Sequence, residues 1–166
     1  MEFNDIIYTK EDGIATITLN RPQTLNALTP LMQREWSDAI ELTKHDPEVK
    51  VLVVTGSGRG FCSGANPRRL DADRTKPLVA TSPMITENRS AHRVARSLAS
   101  FDKPYIGSIN GPAAGAGMDM CSMFDIRIAS DRARFSMAYV RMGTIPVAGG
   151  CYFLPRIVGV AKACEL

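Results

Sequence analysis

Apolar residues along this chain recur with two periods, one suited to strands and one to helices. Ile6 to Lys10 and Ile14 to Asn20 flank Glu11-Asp12-Gly13, a pattern that predicts a hairpin. In the second run Ile17 and Leu19 alternate with Thr16 and Thr18, and Arg21-Pro22 ends it because proline cannot donate to a ladder. Thr29-Pro30 reads as an N-cap followed by proline at the first helical position. Met32, Trp36, Ala39, Ile40 and Thr43 follow at helical spacing, predicting a helix that ends near Lys44. Val49 to Thr55 is a nearly continuous β-branched run, predicting a strand buried on both faces.

Beyond it, Gly56 to Gly60 breaks the pattern, and Asp71 to Pro83, polar with two prolines, reads as a surface loop. Met84 to Phe101 predicts a helix burying Ile85, Val94, Leu98 and Phe101. Lys103 to Ile109 predicts a strand, Gly111 to Gly117 a loop, the residues up to Met123 a short helix, and Asp125 to Ala129 a further strand. Strands alternating with helices through glycine-rich loops define an α/β architecture. Val158 to Leu166 reads as an amphipathic helix with no glycine or asparagine to stop it. The expectation is a fragment, or an end covered by another polypeptide.

Composition narrows the function. At 166 residues the chain suits one domain, and a net charge of +3 without a long basic run argues against a dedicated nucleic-acid binder. No apolar run approaches the ~18 residues that a membrane span requires. The polar, acidic start resembles neither a signal nor a transit peptide. Cys62, Cys121, Cys151 and Cys164 have no zinc-ligand spacing, so no metal is expected. Cys121, Cys151 and Cys164 lie among apolar residues and are expected to be buried, inert thiols, in keeping with a reducing, cytoplasmic setting. The two histidines, His45 and His92, stand beside no glycine turn that would suit a nucleophile-histidine device.

Two strand-to-helix junctions are rich in glycine: Gly56 to Asn66 and Asn110 to Asp119. Glycine lets a ligand approach the backbone, and a helix starting there presents free N–H groups. The junctions are tight packing turns, a nucleotide site, or a pair of amide donors aimed at one carbonyl oxygen. A dinucleotide fingerprint fails where Phe61 and Met120 replace its third glycine, and a phosphate loop lacks its Gly-Lys-Ser/Thr.

Five motifs occur in an order that resembles the enoyl-CoA hydratase/isomerase (crotonase) family. They are Leu19-Asn20-Arg21-Pro22 with Asn26-Ala27-Leu28, Gly60 to Ala65, Asn110 to Gly117, Phe124 to Ser130, and Gly143 to Gly150. The resemblance runs from about Ile6 to Leu166. It implies a crotonase-like ββα superhelix (the ClpP/crotonase fold) over residues 1–166, lacking the C-terminal helical region that builds trimers or hexamers. It implies an acyl-CoA thioester substrate, with coenzyme A as part of that substrate and no separate cofactor, no nucleic acid and no membrane. The main-chain N–H groups of Ala65 and Ala116 are expected to hold the thioester oxygen of an enolate, where one such donor is worth about 2.7–4 kcal/mol. Gln23, Leu25, Ala27, Ala65, Asn66, Pro67, Arg68 and Ala116 are expected along the CoA path. Arg68 and Arg69 are either phosphate partners or a solvated helix face.

The proton-transfer groups depart from the family. Its hydratases use two glutamates; here the first position is Asp119 and the second Tyr139, while a third position used as aspartate by some members is Val147. Asp119 and Tyr139 are therefore the candidate catalytic side chains, with Ala65 and Ala116 as catalytic amides. A phenol of pKa about 10 is a poor base at neutral pH, so hydration is disfavoured and a one-base reaction suits better. His92 is either a helper of Asp119 in a C–C hydrolase or a surface histidine. Three classes remain: an acyl-CoA lyase or isomerase, an acyl-CoA-binding homologue without turnover, and a nucleotide-binding module. Without the covering helices, poor stability or altered assembly is expected.

Overall fold

A computed structural model describes residues 2–65 and 92–166. Strands β1 (Ile6–Glu11) and β2 (Ile14–Leu19) form the expected hairpin, Ile6 pairing with Leu19 and Glu11 with Ile14. Asp12 (φ 48°) and Gly13 (φ 78°) turn the chain with the two positive φ angles that a two-residue hairpin favours. Strands β3 (Val51–Gly56), β4 (Tyr105–Ile109) and β6 (Ile126–Ala129) add in parallel, giving a five-stranded sheet of order β1-β2-β3-β4-β6.

The core lies where the alternating residues of β2 and β3 meet helix α1 (Pro30–His45). Ile17, Leu19, Leu52 and Val54 are fully buried with Met32, Trp36, Ala39 and Ile40 of the helix. Thr29 caps that helix, its hydroxyl accepting from the Met32 N–H at 2.9 Å. Strand β3 departs from expectation on one face: Leu52 and Val54 are buried, but Val51, Val53 and Thr55 are only half covered. Helix α2 (Arg93–Ala99) packs on α1 through Val94 and Leu98, with the Ser37 and Ser97 hydroxyls 2.8 Å apart. Phe101 is half-buried against the core. Ile85 and the loop from Asp71 to Pro83 lie outside the described residues.

The periodicity did not reveal a second, smaller set of pairings. Strands β5 (Ala113–Ala114) and β7 (Phe135–Ser136) run parallel, and single bridges join Leu28 to Ala65 and Cys62 to Ala113. Each is one or two residues long, too short to leave a period. Helix α3 (Ala116–Met123) follows β5 directly. The chain closes with α4 (Gly150–Val158) and α5 (Val160–Glu165), separated by Gly159 at φ 81°. Helix α4 was not anticipated, because Pro155 sits inside it and interrupts the apparent pattern.

The cysteine expectation needs correction. Cys121 is buried, as is Cys62, but Cys151 and Cys164 are exposed. Helix α4 buries only Gly150 and Leu154 and α5 buries nothing, so apolar neighbours in sequence do not enclose these thiols. No described helix is long and apolar enough to cross a membrane.

Candidate active site

The two glycine junctions expected to act together are joined backbone to backbone. Phe61 and Cys62 donate to the Pro112 carbonyl at 3.0 and 3.2 Å, and the Ala114 N–H returns a bond to the Cys62 carbonyl at 2.9 Å. Asn110 ties the same strands from its side chain, accepting from the Gly56 N–H and donating to the Gly58 carbonyl. Gly117 lies so close to the Cys62 carbonyl that any Cβ there would collide with it. These glycines therefore serve the joining of two loops rather than a phosphate.

Asn26 fixes the first junction. Fully buried and at φ 56°, it donates through Nδ2 to the carbonyls of Ser57, Gly60 and Phe61 at 3.0, 2.9 and 3.0 Å. Its Oδ1 accepts from the Arg21 N–H at 2.8 Å. Leu25 and Leu28 bracket the same loop: the Ser63 N–H donates to Leu25 and the Leu28 N–H to Gly64. Leu25 is thus beside the Ala65 loop and half-buried, Ala27 is buried, and Gln23 is exposed. Asn66, Pro67, Arg68 and Arg69 lie outside the described residues.

Gly64 brings the two expected amides close. It sits at φ 83°, and a Cβ there would stand 2.5 Å from the Ala114 carbonyl and 3.1 Å from the Ala116 nitrogen. The Gly64–Ala65 peptide therefore lies against the start of α3. Among the described residues neither the Ala65 nor the Ala116 N–H finds an acceptor. Ala116 is the first residue of its helix, where such donors are left over and the helix dipole favours negative charge.

One turn into α3, the Asp119 carboxylate is wholly buried. Its Oδ2 accepts from the Tyr139 hydroxyl at 2.6 Å and from the Ala148 N–H at 3.0 Å. Its Oδ1 has no partner among the described residues and lies against Gly150, where an added Cβ would overlap it. Burial raises the Asp119 carboxyl above its ordinary range, opposed by these two donors. Burial also raises the Tyr139 phenol, and the neighbouring carboxylate adds to the shift. Tyr139 is half-buried and helps to line a cavity of about 650 Å³ with Met137, Val140, Cys151, Leu154 and Cys164.

Asp119 and Tyr139, separate in sequence, are thus brought together. Val147 at the third acid position is 44% exposed and supplies no acid. His92, half-buried, lines a different cleft of about 410 Å³ with Met123, Ala148 and Phe153, and makes no hydrogen bond to Asp119. Asn26, Ala148 and Gly150 fall within the family motifs, and Asn26 within the stretch expected along the CoA path, but none of these contacts is written in the motifs. The only signals were the signature asparagine and the paired Gly149-Gly150, neither of which states what it touches.

This sheet, with its small second set of parallel pairings and a helix starting at the junction of two glycine loops, is the ββα superhelix of the crotonase fold. The sequence profile of the enoyl-CoA hydratase/isomerase family matches residues 9–166, and the chain belongs to that family. It is 38% identical over its whole length to the 1,2-epoxyphenylacetyl-CoA isomerase of Escherichia coli, spanning 62% of that protein. It is 34% identical to the crotonyl-CoA hydratase of Syntrophomonas wolfei, again over 100% of this chain and 62% of the relative. The crystal structure of an enoyl-CoA hydratase from Polaromonas sp. JS666 superposes with a TM-score of 0.87 at 32% identity, covering 97% of this chain and 62% of the other. The chain therefore spans under two thirds of the length of these relatives.

Proposed function

We propose that this chain carries the reaction centre of an acyl-CoA lyase or isomerase that passes through a thioester enolate. The Ala65 and Ala116 N–H groups hold the thioester oxygen, and the Asp119–Tyr139 pair moves the proton. The observation that supports the reading is the close approach of Gly64, the residue before Ala65, to the Ala116 nitrogen, with no acceptor for either amide among the described residues. Charge that develops on the oxygen when an α-proton leaves is met by donors already in place, which is the condition for a large catalytic effect. A buried carboxyl whose pKa is raised by burial, one turn along the same helix, is a stronger base than an ordinary carboxylate and suits proton transfer. The substrate brings coenzyme A with it, and no separate cofactor is needed. The pairing of one carboxylate with a phenol favours a one-base double-bond shift over hydration.

The test is turnover of a series of 2-enoyl- and 3-enoyl-CoA thioesters of rising chain length, with Asp119→Asn as control. We expect double-bond migration lowered about 10³-fold in the variant. Unchanged turnover in Asp119→Asn removes that residue from the reaction. Tight acyl-CoA binding without turnover of any thioester supports the binding homologue instead.

A further inference from the structure

We infer that Tyr139 is the group that meets the substrate, and that Asp119 acts on it only through the phenol, as a buried proton acceptor. The inference rests on the thioester reading above and assigns roles within it.

Three observations set Asp119 behind the phenol. The residue has no accessible surface. Its Oδ2 already accepts two hydrogen bonds, from Tyr139 and Ala148. Its Oδ1 is closed in by Gly150 and by the Met137 side chain, near the place where a Cβ on Gly150 would fall. Neither oxygen is open to a molecule outside. Tyr139 is less enclosed: it is half-buried, and its hydroxyl donates to Asp119 Oδ2 over 2.6 Å. Donating that proton inward leaves both lone pairs of the phenol oxygen for an outside partner.

The step balances without water or any co-reactant. The α C–H bond of a 3-enoyl thioester breaks as its proton passes to the Tyr139 oxygen, while the original phenol proton passes to Asp119 Oδ2. The electron pair of the C–H bond moves into the enolate, whose oxygen lies between the Ala65 and Ala116 amides. On return, Asp119 gives its proton to the Tyr139 oxygen, and the phenol gives the other to the γ-carbon. The double bond moves into conjugation, the carboxylate is regenerated, and no free phenolate forms. The raised phenol suits this, because it discourages a standing phenolate and leaves the carboxylate as the place where the proton rests.

The test compares Tyr139→Phe, Asp119→Asn and the double variant on 3-hexenoyl-CoA, followed by absorbance of the conjugated product. We expect each single variant to lose about 10³-fold in kcat with little change in KM, and the double variant to be no worse, because the two residues act as a unit. Incorporating 3,5-difluorotyrosine at position 139 keeps the packing and makes the phenol more acidic. The relay then requires kcat to move several-fold, which a structural tyrosine does not. Tyr139→Phe retaining more than a tenth of kcat while Asp119→Asn is inactive overturns the relay and leaves the thioester reading standing. A wild-type chain inert toward every thioester overturns both.

Discussion

The two halves of the site are held in different ways. The amide half is backbone against backbone: Gly64 and Gly117 press on the opposite loop, and Asn26 spans three carbonyls from a fully buried position. The Asp119–Tyr139 half depends on side chains. Tyr139 is presented by a segment in which Val140 is 91% and Ile145 72% exposed, and it follows Ala138 at φ 51°. The contrast teaches that the meeting of the two glycine loops is set by backbone packing, whereas the Asp119–Tyr139 contact is set by a few replaceable side chains.

The largest expected effect lies in the amide half. Asn26→Leu leaves the buried Phe61 carbonyl, and with it those of Gly60 and Ser57, short of a donor, and we expect a loss of about 3–5 kcal/mol in urea unfolding. A loss under about 1 kcal/mol would mean that the loops hold each other without the side chain. Next comes Gly150→Ala, which drives a Cβ into Asp119 Oδ1. It should cost about 1–3 kcal/mol of stability and roughly 10²-fold in kcat through a displaced carboxylate. Equal activity in this variant would break the claim that Gly150 makes room for Asp119.

A smaller effect concerns pH. The folded state holds Asp119 above its ordinary value of 3.8, because burial disfavours the charge. Such a group favours folding while protonated; the contribution is whole below the ordinary value and is lost as pH rises through the raised one. Wild type should therefore lose stability relative to Asp119→Asn as pH rises from the ordinary carboxylate value of 3.8 through the raised one, measured by urea midpoints. Parallel curves for the two proteins would show that the carboxylate bears no such strain. The smallest effect is expected at Val140→Ser, within about 0.5 kcal/mol, since that side chain is almost wholly exposed. A loss above about 1.5 kcal/mol would mean that something covers it in solution.

Much of the amide half was legible beforehand. Met32, Trp36, Ala39, Ile40 and Thr43 of α1 are all buried, as their spacing predicts, because a long amphipathic helix declares its face; Glu35 and Ser37 are buried beside them. The hairpin was equally plain from Asp12-Gly13. The pairings Leu28–Ala65 and Cys62–Ala113 were not, since a single bridge has no period and follows from packing distant in sequence. Asp119 and Tyr139 could be placed by resemblance, but their mutual bond and the closure of Asp119 behind the phenol come from Gly150 and Ala148, residues with no chemistry of their own. Cys151 and Cys164 misled because local apolarity does not tell which side of a helix is covered.

The sheet ends differently on its two sides. At β1, Lys10 meets Asp46 at 2.8 Å and Glu48 at 2.7 Å, so that border carries a cluster of ions. At β6 all four residues are exposed, with Ile126 and Ile128 more than half accessible and Arg127 the one charge among them. A border strand with apolar side chains and an open ladder is a template for another strand, and a single cation is a thin guard. Concentrating this protein therefore invites sheet-to-sheet adhesion at β6 first, and a lysine introduced at Ile128 is the simplest way to keep the molecules apart.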